Sequence, residues 1–186
     1  MKKVRGVGIN DLAIAGNEKI YHIWSGMLQR CYDKNYQIRN PSYMGCSVCK
    51  EWLKFSNFKT WVLTQEWEGK QLDKDIINPS NKVYSPDTCF FVDQNVNTLL
   101  THSKATRGKY PIGVDFKKSY GKFRARVGRF GGKYFEKYFD KSNQASKWYN
   151  KTKSEIICDI ALRQTDLRAT LGLVKHAKRY LRGEVA

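Results

Sequence analysis

Residues 122–127 read Lys-Phe-Arg-Ala-Arg-Val, and in this stretch basic and apolar residues alternate without interruption. Successive side chains of a β-strand point to opposite faces of its sheet, so the alternation predicts a strand with one apolar and one basic face. The apolar face can cover a helix, whereas the basic face is left to solvent or to a partner. Its three cations are Lys122, Arg124 and Arg126.

Two further candidate strands, residues 112–116 and 133–139, flank this central stretch. Short turns that contain glycine, at residues 119–121 and 130–132, separate the three strands, as hairpins require. The second half of the chain is therefore expected to form a three-stranded antiparallel sheet.

Two helices are predicted after the sheet. The first begins near Ser142, and its apolar residues recur at helical spacing, which lets it pack on the sheet. The second covers residues 165–182 and is basic and amphipathic. Three roles are open to this last helix: packing on the core, pairing with a second copy, or contact with DNA.

The first half of the chain predicts a mixture of helices and short strands. Apolar spacing indicates a helix at residues 17–34, with Asn17 as its N-cap, and another at about 50–66. Two extended pieces follow, and a short helix begins near Asp93. The first is residues 72–76, and the second is made of residues 83–84 and 89–92 with a turn at 85–87 between them. The fold class expected for the whole chain is α+β.

The composition is strongly basic. The chain has 34 Lys and Arg residues against 17 Asp and Glu residues, a formal net charge of +17 with a pI near 9.7. The excess is spread along the chain, and an aromatic content of 13% indicates folded domains rather than a disordered polycation. This charge predicts a polyanionic partner, with nucleic acid first and an acidic membrane surface second.

The sequence contains no run of about 18 apolar residues that could span a bilayer, and its first residues lack the apolar core of a signal peptide. We therefore expect a cytoplasmic protein with no membrane partner. In that compartment the five cysteines are expected to be thiols or metal ligands rather than disulfides.

Four of these cysteines raise the question of zinc. Cys46 and Cys49 have the spacing of half a zinc site, and Cys31 and Cys89 could supply the other two ligands. A structural Zn²⁺ is one interpretation. The other is that these residues are small buried hydrophobic side chains, which is a common role of free cysteine.

The basic face of the central strand suggests how a nucleic acid would be bound. A narrow β-sheet fits the DNA major groove, where Arg bonds guanine through two hydrogen bonds and Lys reaches phosphate. The face is expected to be nearly all positive, whereas an ordinary solvated face mixes both signs. RNA is a weaker alternative, because the strands show no exposed aromatic stacking pair. The cations expected to flank the surface are Lys117, Lys118, Arg129 and Lys133.

The second half of the chain resembles the APETALA2-type DNA-binding domain. The resemblance is carried by Ile112-Gly113-Val114, by residues 121–127, by Lys137-Tyr138-Phe139 and by the following helix with Ala145 and Tyr149. It implies a three-stranded sheet packed on one helix, with the sheet inserted into the major groove of double-stranded DNA. By position, the implied DNA contacts are Lys117, Arg124, Arg126, Lys133 and Phe135. The sequence departs from the family pattern at Asp115, where Arg is usual, and at Phe135, where Trp is usual.

The first half resembles the HNH-type module of phage and mobile-element homing endonucleases. The matching features are Ile23-Trp24, Arg30-Cys31-Tyr32, Val48-Cys49, Glu51-Trp52, Leu72-Asp73-Lys74-Asp75 and Tyr84-Ser85-Pro86-Asp87-Thr88-Cys89. The resemblance implies a phage or mobile-element protein that acts in a bacterial host cell.

The HNH motif is degenerate in this sequence. Asp73 occupies the position of the metal-binding carboxylate, but Lys74 replaces the histidine that serves as general base, and Thr88 stands near the position of the asparagine. A lysine with an ordinary pKa near 10.4 is protonated at neutral pH and cannot accept a proton from water. The resemblance therefore implies a scaffold whose cleavage is impaired or lost.

Two functions follow from these resemblances. The favoured one is a sequence-specific DNA-binding protein that acts as a transcriptional regulator or repressor and binds a palindromic site as a homodimer. The alternative is an active endonuclease that cuts or nicks a specific DNA site with Mg²⁺ or Mn²⁺. It would hold the metal ion with Asp73, Asp75 or Asp87, and Lys74 would stabilise the transition state. The expected organisation is a degenerate HNH-like module at 1–101, a linker at 102–109, an APETALA2-like domain at 110–162 and a C-terminal basic amphipathic helix at 163–186.

Overall fold

The computed structural model describes residues 3–13, 18–100, 108–130 and 133–185, with the backbone alone at residues 129 and 130. Two compact units divide the chain, Met1–Asn97 and Thr98–Ala186. The described residues contain six α-helices, two two-stranded sheets and one three-stranded antiparallel sheet, which confirms the α+β class. Asn17 and most of the predicted linker lie outside the described residues.

Helix α1 of the first unit is Lys19–Tyr32, and α2 is Lys34–Arg39. The sequence predicted one helix over 17–34, but the chain breaks at Asp33, whose backbone is extended. The Asp33 carboxylate accepts a hydrogen bond from the backbone N–H of Tyr36 at 3.0 Å. Asp33 thus ends the first helix and caps the second, which is a common role for this residue type.

The second predicted helix is also divided. A 3₁₀ turn at Glu51–Leu53 precedes α3, Phe55–Val62, and Lys54 between them is extended. The break is caused by a residue far away in sequence, because Ile9 pairs with this point of the chain. Its N–H donates to the Leu53 carbonyl at 2.8 Å, and its carbonyl accepts from Phe55 N–H at 2.9 Å.

The core of the first unit is rich in aromatic side chains. Trp24 on α1 and Trp52 are fully buried, and the Trp24 indole N–H donates to the Trp52 carbonyl at 2.7 Å. The hydrogen bond satisfies the polar edge of a ring that is otherwise surrounded by apolar atoms. Gly8 lies so close that a Cβ there would be 2.4 Å from the Leu28 side chain.

Four short strands complete the first unit. Strand β1, Ser47–Val48, pairs in parallel with β3, Val83–Tyr84. Strand β2, Gln71–Asp73, pairs antiparallel with β4, Phe90–Val92. Helix α4, Gln94–Leu100, follows and continues across the boundary between the two units.

The second unit is built on the sheet that the sequence predicted. Strands β5, Val114–Lys117, β6, Lys122–Phe130, and β7, Lys133–Phe139, are antiparallel in the order β5-β6-β7. One face of the sheet packs on α5, Ser142–Ala161. Helix α6, Leu167–Leu181, packs on α5. Of the three roles open to the last helix, packing on the core is therefore confirmed.

Two glycines explain the shape of this sheet. Gly113 has φ +70°, and a Cβ there would lie 2.0 Å from the Tyr149 ring of α5, so only glycine permits this contact. Gly128 has φ +96° and lies at a bulge where the pairing register of β6 and β7 shifts between Arg126 and Gly128. The bulge lets β6 continue to Phe130, beyond the predicted end at Val127.

None of the helices that the structure describes is long and apolar enough to cross a membrane.

Candidate nucleic-acid interface

The strand register defines the outer face of the sheet, which is the face opposite α5. Ala125 of β6 is fully buried under α5, so its neighbour Arg124 points to the other side. Asp115 of β5 and Tyr138 of β7 lie directly across from Arg124. The cross-strand pairs two residues away from Arg124 in each direction add further charged side chains to this face. These pairs are Lys117 with Lys122 and Arg126 with Glu136.

Arg124 is held in place by two carboxylates. Its Nε and Nη2 donate to the two oxygens of Asp115 at 3.0 and 2.9 Å, and Nη1 lies 3.6 Å from Glu136 Oε2. Only 17% of the Arg124 side chain is exposed. These hydrogen bonds from Arg124 lower the pKa of Asp115 and, through the same contact, raise the pKa of Arg124. Both groups are therefore ionised at neutral pH.

The expectation of a nearly all-positive face was wrong. Asp115 pairs with Lys117 at 3.2 Å as well as with Arg124, and Lys122 pairs with Asp140 at 3.4 Å. The alternation within β6 correctly places its cations on one face. The carboxylates come from the neighbouring strands, whose register the sequence does not reveal.

Arg126 differs from Arg124 in that its side chain is exposed. Its backbone N–H donates to the Gly113 carbonyl at 2.8 Å, which fixes the strand at this point. No ion pair joins its guanidinium to any other residue that the structure describes. Lys118, in the 3₁₀ turn Lys118–Tyr120 at one end of the sheet, is likewise exposed. The side chains of these two cations are therefore accessible from solvent.

Two other predicted contact residues do not lie on the outer face. Phe135 and Lys133 lie on the face of β7 that also carries Phe139, whose ring contacts Trp148 of α5. They are thus on the opposite face of β7 from Tyr138. Position 129 pairs with Tyr134 through the backbone, and its side chain lies outside the described part of the chain.

Tyrosines on the outer face were missed by the sequence analysis. The rings of Tyr120 and Tyr138 lie in contact, with centroids 5.2 Å apart and planes tilted by 57°. Tyr120 is 67% exposed, and Tyr134, two rungs further along β7, is 65% exposed. Tyr120 lies in the turn and Tyr138 is half-buried, so this contact does not contradict the expectation that the strands lack an exposed aromatic pair. Strand alternation could not reveal the contact, because Tyr120 does not belong to a strand.

The charge of the molecule is concentrated in the second unit. Residues 98–186 contain 21 of the 34 basic residues and 7 of the 17 acidic ones, which gives this unit +14 against +3 for the first. The sequence alone suggested that the basic excess is spread along the chain. Most of the excess instead belongs to the second unit. The unit that carries the sheet is the one with the large positive field.

The predicted catalytic residues of the first unit have structural partners. Asp73 is 8% exposed, and its Oδ1 accepts hydrogen bonds from the N–H groups of Asp75 and Ile76, both at 2.8 Å. Burial raises the pKa of Asp73 above its usual value, and the neighbouring Asp75 carboxylate adds to the effect. Asp73 thus shapes the turn that follows β2.

Lys74 and Thr88 are also held locally. Lys74 is 3% exposed, and its Nζ donates to the Asp75 carboxylate and, at 3.2 Å, to the Asn81 carbonyl. The Thr88 hydroxyl donates to the Val83 carbonyl at 2.7 Å. The structure brings Lys74 and Asp73 close to Cys89, the neighbour of Thr88. The Lys74 Nζ thus acts as a hydrogen-bond donor to two partners close to the turn that follows β2.

The four cysteines considered for zinc belong to the core of the first unit. Cys31, Cys46 and Cys89 are buried, and Cys49 is partly buried. Burial raises the pKa of the Cys31 and Cys89 thiols to about 12, so both are neutral. Within the described ranges no group of three or more His, Cys, Asp or Glu side chains is arranged to hold a metal ion. Metal analysis of the purified protein would test the zinc hypothesis directly.

No family model matches the chain, and neither a curated protein nor a solved structure matches it. Its function must therefore be inferred from its own residues.

Proposed function

We propose that the protein binds double-stranded DNA sequence-specifically through the outer face of the β5-β6-β7 sheet. The observation that carries this proposal is Arg126, whose exposed guanidinium lies on the central strand of the more basic unit and forms no ion pair with any residue that the structure describes. Arg in this setting can donate two hydrogen bonds to the O6 and N7 atoms of guanine.

The dimensions of the sheet suit the major groove. Three strands at their usual spacing place the two edge strands about 10 Å apart. The major groove of B-DNA is about 12 Å wide, so the sheet can enter it face first. Lys118, at the end of the sheet, is then placed to reach a phosphate of the flanking backbone.

The mixed charge of the face favours sequence recognition over simple attraction to phosphate. Asp115 and Glu136 keep 46% and 37% of their side chains exposed beside the two arginines. Carboxylates repel phosphate but accept a hydrogen bond from the amino group of cytosine. A surface with both donors and acceptors can therefore distinguish base pairs, which an all-cationic one does poorly.

The first unit supports a regulatory role. Its resemblance to the HNH-type module favours descent from a phage-type homing endonuclease, whereas the contacts of Asp73, Lys74 and Thr88 leave no proton acceptor at the histidine position. A regulator or repressor acting in a bacterial host cell, bound as a homodimer to a palindromic site, fits both features.

An active endonuclease is the second candidate, and one observation favours it. The Asp75 side chain is 51% exposed and lies beside the Asp73 carboxylate. Two neighbouring carboxylates are ligands that Mg²⁺ or Mn²⁺ accepts. Such a metal ion would stabilise charge on the phosphate and activate water without a histidine.

One experiment separates the two candidates. Duplexes that the intact protein retains are selected from a random pool, and the selected duplex is then incubated with protein and Mg²⁺ or Mn²⁺. We expect enrichment of a defined site and an intact duplex. Cleavage that Asp73→Asn abolishes would establish the nuclease instead, since asparagine keeps the oxygen that accepts both N–H bonds. Failure to enrich any site would refute sequence-specific binding.

A further inference from the structure

The contact between Tyr120 and Tyr138 leaves a tyrosine ring open to solvent on the outer face of the sheet. Tyr138 lies across from Arg124 on the outer face, and its ring supports that of Tyr120 from one side. Two-thirds of Tyr120 remains exposed. Aromatic side chains bury large apolar areas when they can, so a ring held in this way is available to a partner.

The position of Tyr120 is fixed by its local structure. It ends the 3₁₀ turn Lys118–Tyr120, and Gly121 closes that turn in the left-handed conformation with φ +59°. The Gly121 N–H donates to the Lys118 carbonyl at 3.2 Å. A ring on a short closed turn loses little conformational freedom when a ligand binds to it.

The charges around this ring point to the chemistry of its ligand. Lys118 shares its turn, and Lys122, which pairs with Asp140 at 3.4 Å, begins the adjoining strand. Arg126 lies further along the same face. An exposed aromatic ring among cations is the arrangement that binds single-stranded nucleic acid, in which bases stack on rings while phosphates lie near the charges.

We infer that the outer face of the sheet binds single-stranded nucleic acid, with an unpaired base stacked on Tyr120. This activity goes beyond duplex binding, because the bases of a duplex already stack on one another and offer the ring no free face. Tyr134 provides a second exposed ring on the same face of β7, about 13 Å from Tyr138 along the strand. A strand of nucleic acid can therefore meet aromatic rings at both ends of the sheet.

The test uses the intact protein and labelled oligonucleotides of about 12 nucleotides, within the length that one such surface covers. Fluorescence anisotropy measures binding to oligothymidylate, to the matching uridylate RNA and to the selected duplex. We expect Tyr120→Ala to weaken single-strand binding on the order of 5- to 100-fold. Tyr120→Phe keeps the ring and is expected to bind within about twofold of the parent.

Leu162→Ala is the matched control, because Leu162 is an exposed apolar residue of the same unit at the end of α5. This variant is expected to bind the single-stranded oligonucleotides as tightly as the parent. Binding of either oligonucleotide, or of both, supports the inference, and a difference between their affinities identifies the preferred strand. The inference is overturned if the parent binds neither strand, if Tyr120→Ala binds as tightly as the parent, or if Tyr120→Phe loses as much as Tyr120→Ala. Binding of the selected duplex is measured separately. If the parent protein does not bind it, the proposed function is refuted and the present inference is not.

Discussion

Two arginines two residues apart on β6 have opposite environments, although both point to the same face. Arg124 donates to Asp115 with good geometry and is mostly covered, whereas Arg126 is exposed. Using Arg124 to bond guanine requires breaking those two charge-assisted hydrogen bonds, each of which is stronger than a neutral one. Base recognition by this sheet is therefore expected to depend first on Arg126.

We expect Arg126→Ala to weaken binding to the selected duplex by about 1–3 kcal/mol and to relax base preference at one position. The reason is that the variant loses a bidentate contact with guanine, whereas no ion pair among the described residues is lost. Titration of the selected site and of single-base variants measures both effects. Lys151→Ala, which removes an exposed charge from α5, is the control. Equal losses in the two variants would mean that only charge matters.

A second prediction concerns Gly113. Its replacement by alanine places a Cβ against the Tyr149 ring and keeps an unfavourable positive φ, so we expect a loss of unfolding free energy of about 2 kcal/mol or more. Gly121→Ala has a positive φ but no atom within 4 Å, and is expected to cost only about 1 kcal/mol. Urea denaturation compares the two variants, and equal costs would show that the contact with Tyr149 does not matter.

At the scale of elements, the packing of α5 on α6 encloses a lysine. Lys153 of α5 is buried, and its Nζ lies 6.0 and 5.9 Å from the ring centroids of Tyr149 and Tyr180. Burial lowers the pKa of Lys153 from 10.5 to about 8. The two rings favour the charged form, but desolvation sets the net direction.

This burial predicts a pH dependence of stability. Since the folded-state pKa lies below that of the unfolded chain, the unfolded chain binds more protons between pH 8 and 10.5, and stability rises with pH across that window. Lys153→Met is therefore expected to stabilise the protein by up to about 3 kcal/mol at pH 7 and by much less near pH 10. Urea denaturation at both pH values measures the gain.

Lys151→Met on the same helix, where the side chain is 73% exposed, is the control for this measurement. It is expected to change stability little at either pH. A gain for Lys153→Met that is the same at pH 7 and pH 10 would show that replacing the charge is not the cause.

Elements whose pattern is local could be predicted from the sequence, and those fixed by distant contacts could not. The alternation in residues 122–127 and the glycines of the turns predicted the sheet. The helical spacing of apolar residues after Ser142 predicted the helix that packs on it. The break at Lys54 depends on Ile9, which has no signature in the sequence. The bulge at Gly128 likewise depends on pairing with β7.

The same distinction holds for the candidate site. Arg126 was placed correctly on its face because alternation is a property of one strand. The pairing of Arg124 with Asp115 and the contact of Tyr120 with Tyr138 required the register between strands and the path of a turn. Those features are tertiary, and composition alone overstated the positive character of the face.

For the whole molecule, the concentration of charge in the second unit predicts strongly salt-dependent binding of duplex DNA. Each phosphate contact releases counterions, so removing one should lower the slope of log affinity against log salt by about 1. We expect this change for Lys118→Ala, whose side chain flanks the sheet.

Lys50→Ala is the comparison for this measurement, because Lys50 is exposed in the nearly balanced first unit. Titrations at several salt concentrations should leave its slope unchanged. If both variants lower the slope equally, phosphate contacts extend over both units and the sheet is not the main binding surface.

The pairing of Arg124 with Asp115 has a consequence for the evolution of this protein. In the proposed function, the carboxylate keeps a guanidinium on the central strand in a fixed position but withholds it from the bases. A change to asparagine removes one charge and one accepting oxygen, so Arg124 would be held more weakly, with Glu136 still 3.6 Å away. Under that proposal, descendants of this protein gain a new guanine contact in one mutational step, without rebuilding β6.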